Sequence, residues 1–343
     1  MHTCRTLLVD AFTDEPLSGN AAGVVPAADD LSADQMQAIA RELSVSETAF
    51  FVESEEADRR VRYFTPTTEV DLCGHATIAS HVHLFEAGDI EPGTHTLETN
   101  VGVLDIDVTD DGTVWMTQDD PEVESVDLEY DRLGDALGID PAALRDVGED
   151  LPLAVSSTGF PVLVVPVNFL SHVGSADPDM DALVEIGEEV GAMGIYVLTF
   201  DAVEAESTLH GRMFAPAVGI PEDPVTGTAS GSVGAYLRAF GAFEDEDGEE
   251  NENESGDGKE NENESGDGKE NGNESGDGKE NGNEKSDGFP DELRLEQGHF
   301  VDRPGYVRVR VDDEAVRVGG RAATALDGDL VVPDAEDDDI IEA

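Results

Sequence analysis

The chain has 343 residues and carries 79 acidic side chains against 19 Lys and Arg, a formal net charge of −60 at pH 7. A surface this negative repels phosphate backbones and anionic bilayers, so no nucleic acid and no membrane is expected as a partner. Two cysteines, Cys4 and Cys73, are too few for a disulfide framework and suit a reducing cytoplasm; no apolar run reaches spanning length, and the first residues lack a signal-peptide pattern.

The charge is spread over the whole chain. Residues 244–288 hold 19 acids and all 4 lysines, and the other 298 residues still carry −45 with arginine as their only Lys/Arg-type cation. Such a composition reads as adaptation to concentrated salt, where the screening length falls to about 3 Å at 1 M.

In chain order, 6–12 reads as a strand, 17–23 as a Gly/Asn turn and 24–26 as a second strand. Ser32 with Gln35 forms a capping-box pattern for a helix over 33–43, whose apolar face is Met36, Ile39, Ala40 and Leu43. Strands are predicted at 48–52, 60–65, 95–101, 103–109 and 113–117, around a helix over 75–87 that is small or apolar on every side. Residues 119–130 are acidic and aperiodic and read as a crossover. A short helix near 131–138, strands at 152–156 and 161–166, and a helix from 178 to 190 begin a second series. It continues with strands at 194–200 and 206–215 and a small-residue helix over 227–240. Residues 251–284 repeat a polar decapeptide (NENESGDGKE) with nothing apolar to bury, so 244–288 is expected to be a disordered surface insertion. Strands near 292–296, 305–311, 315–318, 321–326 and 329–332 close the chain.

The second series echoes the first. Arg62, Phe64 and Pro66 match Arg212, Phe214 and Pro216 at an offset of 150; Gly74, Ala76, Leu84 and Gly88 match Gly227, Ala229, Leu237 and Gly241 at 153. Residues 19–26 match 159–166, and the helix at 33–43 matches the one at 178–190. Matches in one order at so long a period indicate a duplicated unit rather than a solenoid. Helices apolar all round are buried ones, so each is expected to be wrapped by its own sheet. If the units pack with pseudo-symmetry, two helix N-termini face one cleft and offer an anion site.

Differences between the copies then carry information. Glu47 has Met193-Gly194 as its counterpart, Glu222-Asp223 stands where the first copy has Val70-Asp71, and His75 stands against Thr228. Two carboxylates, an imidazole and a hydroxyl in one cleft would be equipment for moving protons. Taken singly, each is a common surface or helix-start residue. Cys73, His75, His81 and His83 do not match a zinc spacing, because His81 and His83 point apart on a helix, so no metal is expected. Neither a dinucleotide fingerprint, a P-loop nor a nucleophile elbow is present.

The stretches DAFTDEPLSGN (10–20), LSVSETAF (43–50), FTPTTEVDLCGHAT (64–77) and GIPEDPVTGTASG (219–231) resemble, in order, the motifs of the PhzF family of phenazine-biosynthesis-like isomerases. The resemblance covers nearly everything outside 244–288. It implies an α+β, diaminopimelate-epimerase-like fold: two pseudo-symmetric domains, each a curled, mostly antiparallel sheet around a central helix, with the active site between them. The domains would be 1–119 and 129–243 joined with 289–334. By resemblance Glu47 is the acid/base, with His75 and Asp223 as catalytic partners and Asn20, Gly74, Gly227 and Thr228 as substrate-binding positions. Thr228 is a mild departure, since serine is usual there. It further implies no cofactor, a small anionic substrate, a homodimer and proton transfer between carbons. The epimerase branch uses two facing cysteines; here Cys73 holds the first position and Thr226 the second. A one-cysteine epimerase or racemase and a non-catalytic binding protein are the alternatives.

Overall fold

The structure is a computed structural model, and it describes residues 2–148, 150–243 and 288–334. The tract read as disordered, 244–288, lies outside the described residues except for Gly288.

The first series runs β1 (His2–Ala11), β2 (Asn20–Val25), α1 (Ala33–Leu43), β3 (Glu47–Val52), β4 (Arg59–Phe64), β5 (Glu69–Val70), α2 (Gly74–Ala87), β6 (Gly93–Thr99), β7 (Gly102–Val108) and β8 (Val114–Thr117). Next come β9 (Glu122–Ser125), α3 (Tyr130–Leu137), α4 (Pro141–Arg145), β10 (Ala154–Ser157), β11 (Val162–Pro166), α5 (Leu170–Ser175), α6 (Met180–Val190) and β12 (Gly194–Thr199). The chain then continues through β13 (Leu209–Ala215), β14 (Ile220–Asp223), α7 (Gly227–Ala239), β15 (Leu293–Gln297), β16 (Gly305–Val311), β17 (Val316–Gly320) and β18 (Ala322–Val332).

The strand pairings establish the duplication directly. In the first unit β2 pairs β3 in parallel and β4 pairs β6 in parallel, and in the second β11 pairs β12 and β13 pairs β15 in the same way. The remaining neighbours are antiparallel, and β8 against β17 joins the two units. At the level of side chains, Arg62 grips Glu69 through two hydrogen bonds of 2.8 and 2.7 Å, and Arg212 grips Glu222 at 2.9 and 2.8 Å. Each guanidinium also lies over a phenylalanine, Phe64 at 5.2 Å and Phe214 at 4.9 Å.

Two boundaries differ from the sequence reading. Residues 321–326 and 329–332 were expected as two strands of the second domain; they are one strand, β18, and it pairs with β1 of the first from His2–Val332 to Ala11–Ala322. The expected crossover at 119–130 contains β9, which pairs with β10 of the second unit. Each unit's sheet is therefore completed by the strand that follows the other unit's last hairpin. Alternation of apolar residues specifies that a strand has a buried face. It does not specify which of two similar sheets receives it.

The two central helices supply the cores. Ala76 through Leu84 of α2 are all buried, as are Ala229 through Leu237 of α7, so both helices are enclosed by strands rather than laid on a surface. Fully buried Ile78 and Val82 in α2 and Val233 and Leu237 in α7 each contribute about 1.5–3 kcal/mol of apolar burial. α1 and α6 pack outside, with side-chain caps: Ser32 and Gln35 form the expected box, and the Asp179 carboxylate accepts from the Asp181 and Ala182 amides. The central helices are different. Neither Cys73 before α2 nor Thr226 before α7 closes the first turn with a side-chain hydrogen bond, and neither first turn contains an acid. No described helix is long and apolar enough to cross a membrane.

Candidate active site

The first turns of α2 and α7 meet. A Cβ built on Gly74 would lie 3.8 Å from Thr228 Oγ1. A cleft of about 440 Å³ opens over this junction, lined by Gly74, Leu72, Met116 and Gln118 from one side and Thr158, Phe160 and Thr228 from the other. Larger hollows on the outer faces, near Asp58 and near Glu124, touch neither helix start. Asp71 and Asp119 also border the cleft, and among the described residues no Arg does. Gly227, expected as a substrate-binding position, does not line it. Its Cα faces the Phe12 ring, and an added Cβ would sit 2.9 Å from Phe12 Cζ, so that glycine serves close packing.

Behind the cleft the first unit contributes an acid/base cluster. His75 Nε2 lies 3.6 Å from Glu47 Oε2 and 3.3 Å from Ser46 Oγ, and its Nδ1 lies 3.4 Å from Cys73 Sγ. The Glu47 and His75 side chains keep 18% and 11% of their exposure, so neither is sealed from solvent. Burial pushes the Cys73 thiol well above its ordinary value, and the facing Glu47 carboxylate pushes it further the same way. A thiol held protonated is a poor general base. His81, one of the residues weighed for metal binding, is buried with Nδ1 2.9 Å from the Thr77 carbonyl, and burial lowers its pKa to about 4.

The second unit contributes Asp223. Asn20 Nδ2 donates to Asp223 Oδ1 at 2.9 Å and to the Val225 carbonyl at 2.9 Å, and the Thr226 hydroxyl donates to Asp223 Oδ2. Burial raises the Asp223 carboxyl above the ordinary aspartate range, opposed by the Thr226 hydrogen bond and the nearby His75 and reinforced by the Glu47 charge. Gln297 fixes the backbone of this turn, its Nε2 donating to the Asp223 carbonyl at 2.6 Å and its Oε1 accepting from the Thr226 amide at 3.3 Å. Ser46, Thr226 and Gln297 thus belong to the site's framework. Ser46 lies in the motif stretch 43–50 and Thr226 is the counterpart of Cys73, whereas Gln297 has no signal in the sequence.

Asn20 is held in place by a clamp between the units. Arg303 Nη2 donates to Asp10 Oδ1 and to the Ser18 carbonyl, each at 2.6 Å, and Nε donates to the Gly19 carbonyl at 2.8 Å. Gly19 has φ +56°, and a Cβ there would fall 2.1 Å from the Ala11 carbonyl oxygen, so the turn that delivers Asn20 requires glycine.

The strand registers correct one detail of the sequence alignment. Tyr63 faces Val70 across β4–β5, and Met213 faces Asp223 across β13–β14, so Asp223 replaces Val70 and Glu222 replaces Glu69. Glu222 is hence a repeated structural partner of an arginine, while Asp223 is the innovation. By the same registers Glu47 stands where the second unit has Gly194, and Asn20 where it has Phe160.

Of the expected site residues, Gly74 and Thr228 line the cleft; Glu47 with His75, and Asn20 with Asp223, form the polar groups at the same helix starts. Comparison with known proteins bears on the family and the fold. A sequence model of the PhzC-PhzF family, phenazine biosynthesis-like proteins, matches residues 9–262. An uncharacterized isomerase of Bacillus subtilis, YfhB, is 41% identical over 249 residues, 71% of this chain and 84% of that protein. YddE of Escherichia coli K12, also named an uncharacterized isomerase, is 39% identical over 67% of this chain and 77% of its own. The crystal structure of a Bacillus anthracis PhzF-family protein superimposes with a TM-score of 0.76 at 30% identity, covering 96% of this chain and all of that one. A hydroxyproline epimerase from Agrobacterium vitis shares the fold at a TM-score of 0.52 and 12% identity, over 97% of this chain and 93% of its own. Two uncapped helix starts meeting at one cleft, in a duplicated chain matched along most of its length by these relatives, identify a member of the PhzF family of phenazine-biosynthesis-like proteins.

Proposed function

We propose that the chain is a cofactor-independent isomerase that moves a proton between carbons of a small carboxylate-bearing substrate. Glu47 removes the proton from a carbon acidified by conjugation or by the carboxylate and returns it elsewhere on the same molecule. His75, in reach of Glu47, orients it and shares its proton, and Asp223 holds a substrate polar group from the opposite unit. The substrate's anionic group lies at the first turns of α2 and α7, near Gly74 and Thr228, where amides without side-chain caps and two helix dipoles favour negative charge. Among the described residues no Arg lines the cleft, so those amides are their main attraction for a carboxylate.

The observation that carries the reading is the asymmetry of a symmetric frame. Glu47, His75 and Asp223 all occur at positions where the other copy has Gly194, Thr228 and Val70, and all gather at one helix junction. The cysteine-assisted epimerase is the weaker reading, because Cys73 is held as a thiol and Thr226 stands opposite. Unpaired cysteines and the acidic composition fit a salt-rich cytoplasm, and the family resemblance alone supports a homodimer, which light scattering in molar KCl would test.

The test is deuterium uptake from D2O in molar KCl, followed by proton NMR, with dihydro-hydroxyanthranilate and a panel of small carboxylic and amino acids. The account expects uptake at a carbon of at least one compound, retained in Cys73→Ser. Uptake abolished by Cys73→Ser would favour the epimerase reading, and tight binding without uptake of any bound compound would favour a binding protein.

A further inference from the structure

Neighbouring residues of β15 point to opposite faces of the sheet. Gln297 faces inward to the Asp223 turn, while Glu296 faces outward and is fully buried beneath the 200–206 loop. There Glu296 Oε1 lies 2.8 Å from His210 Nδ1, and both side chains have 0% exposure. The carboxylate also accepts the Val203 amide at 2.5 Å and the Glu204 amide at 3.0 Å. His299, from the short 3-10 turn His299–Val301, packs against His210 with ring centroids 5.1 Å apart and planes inclined at 50°. His210, Glu296 and His299 each present a donor atom, and the three atoms lie within 4.8 Å of one another.

The duplication supplies a control. At the equivalent place in the first unit the parallel register puts Arg60 beside Glu98, as it puts His210 beside Glu296. Arg60 and Glu98 make an ordinary, partly exposed ion pair at 3.1 Å. A charge partner for a buried glutamate would be met by arginine again. The second unit has imidazole instead, encloses it completely and adds a second imidazole. Two of the nitrogens, His210 Nε2 and His299 Nδ1, are enclosed without a hydrogen-bond partner among the described residues. Buried polar atoms left in this way are costly, and two of them on rings whose centroids lie 5.1 Å apart call for a common partner.

We propose that His210, through Nε2, and His299, through Nδ1, bind a divalent transition-metal ion of the zinc class, with Glu296 holding His210 from the outer shell. Two imidazole nitrogens suit such an ion, which takes nitrogen ligands at about 2.0–2.1 Å and fills its remaining positions with water. Because Glu296 is hydrogen-bonded to Nδ1 of His210, it directs Nε2 as the free lone pair, the outer-shell arrangement of metal-bound histidines. The ion would tie β13, β15 and the His299–Val301 turn together behind Gln297. It is separate from the acid/base cluster and has no part in the proton transfer.

The test is titration of the full chain with Co2+ in molar KCl, read by visible absorption. Wild type is expected to give a saturable ligand-field band at one ion per chain, displaced by Zn2+. His299→Ala should lose it; His210→Asn, which can still donate to Glu296 but lacks Nε2, should lose it as well. Cys73→Ser should retain it, which separates this site from the nearby grouping of Glu47, Cys73 and His75. Zn2+ should raise the melting temperature of wild type and not of His299→Ala. No saturable band, or a band of equal strength in His299→Ala, would overturn the proposal.

Discussion

The two halves of this molecule were built from one plan and now do different work. Where they agree, the residues hold the fold: Arg62–Glu69 over Phe64 and Arg212–Glu222 over Phe214 fix the same β-turn before the same buried helix. Where they disagree, polar groups collect at the helix junction: Glu47 against Gly194, His75 against Thr228, Asp223 against Val70, Asn20 against Phe160. Repeated positions are therefore expected to control stability, and diverged ones chemistry. Substitutions that exchange those two outcomes would break the comparison.

The largest expected effect is at a diverged position. Glu47→Gln keeps the side chain's shape and removes its base, so turnover should fall by about 10²–10⁴ with the melting temperature nearly unchanged. At a repeated position the pattern inverts. Arg212→Met leaves Glu222 and the Val173 and Ala176 carbonyls, each 3.0 Å from Nη1, without their donor. With Arg212 only 9% exposed, that should cost about 3–5 kcal/mol in denaturant unfolding. Arg62→Met, at 23% exposure and without carbonyl partners, should cost about 1 kcal/mol or less. Equal losses would show that the second copy's deeper burial does not matter.

Gly227→Ala tests the packing role assigned to that glycine. The new methyl would press on Phe12, whose own ring is fixed between the units, and should cost about 1–3 kcal/mol. A purely ligand-binding glycine would instead leave stability intact and weaken binding alone. The smallest effect concerns Asp223. Its folded pKa is raised by burial, so the native state holds this proton more tightly than the unfolded chain does. That contribution favours the fold at low pH and is lost as pH climbs from about 4, the ordinary aspartate value, through the raised one. Relative to wild type, Asp223→Asn should gain stability over that interval, read from melting curves at constant molar KCl. A difference independent of pH would show that Asp223 is not raised.

Much of this was legible in the sequence because duplication places a reference copy inside the same chain. The helix starts, the glycines and the diverged Glu47, His75 and Asp223 could all be found by setting one half against the other. Strand exchange could not. Asp327-Gly328 reads as a turn, yet both residues continue β18, paired to Leu7 and Thr6, with Arg5 clamping Asp327 at 3.0 and 2.8 Å. Gln297 was equally invisible, since its role depends on β15 lying parallel to β13 across the 77 intervening residues 216–292. The single-residue slip that equated Asp223 with Asp71 had a physical origin too: both copies have an acid near the turn, and only the strand register shows which one replaces Val70.

The most direct test of the central claim is deuterium exchange by Glu47→Gln beside wild type, at equal folded fraction in molar KCl and with a compound that wild type labels. The account predicts that carbon labelling disappears in Glu47→Gln and persists in Glu69→Gln, whose carboxylate is a structural partner of Arg62. Full labelling by Glu47→Gln would contradict it and would remove Glu47 as the group that moves the proton.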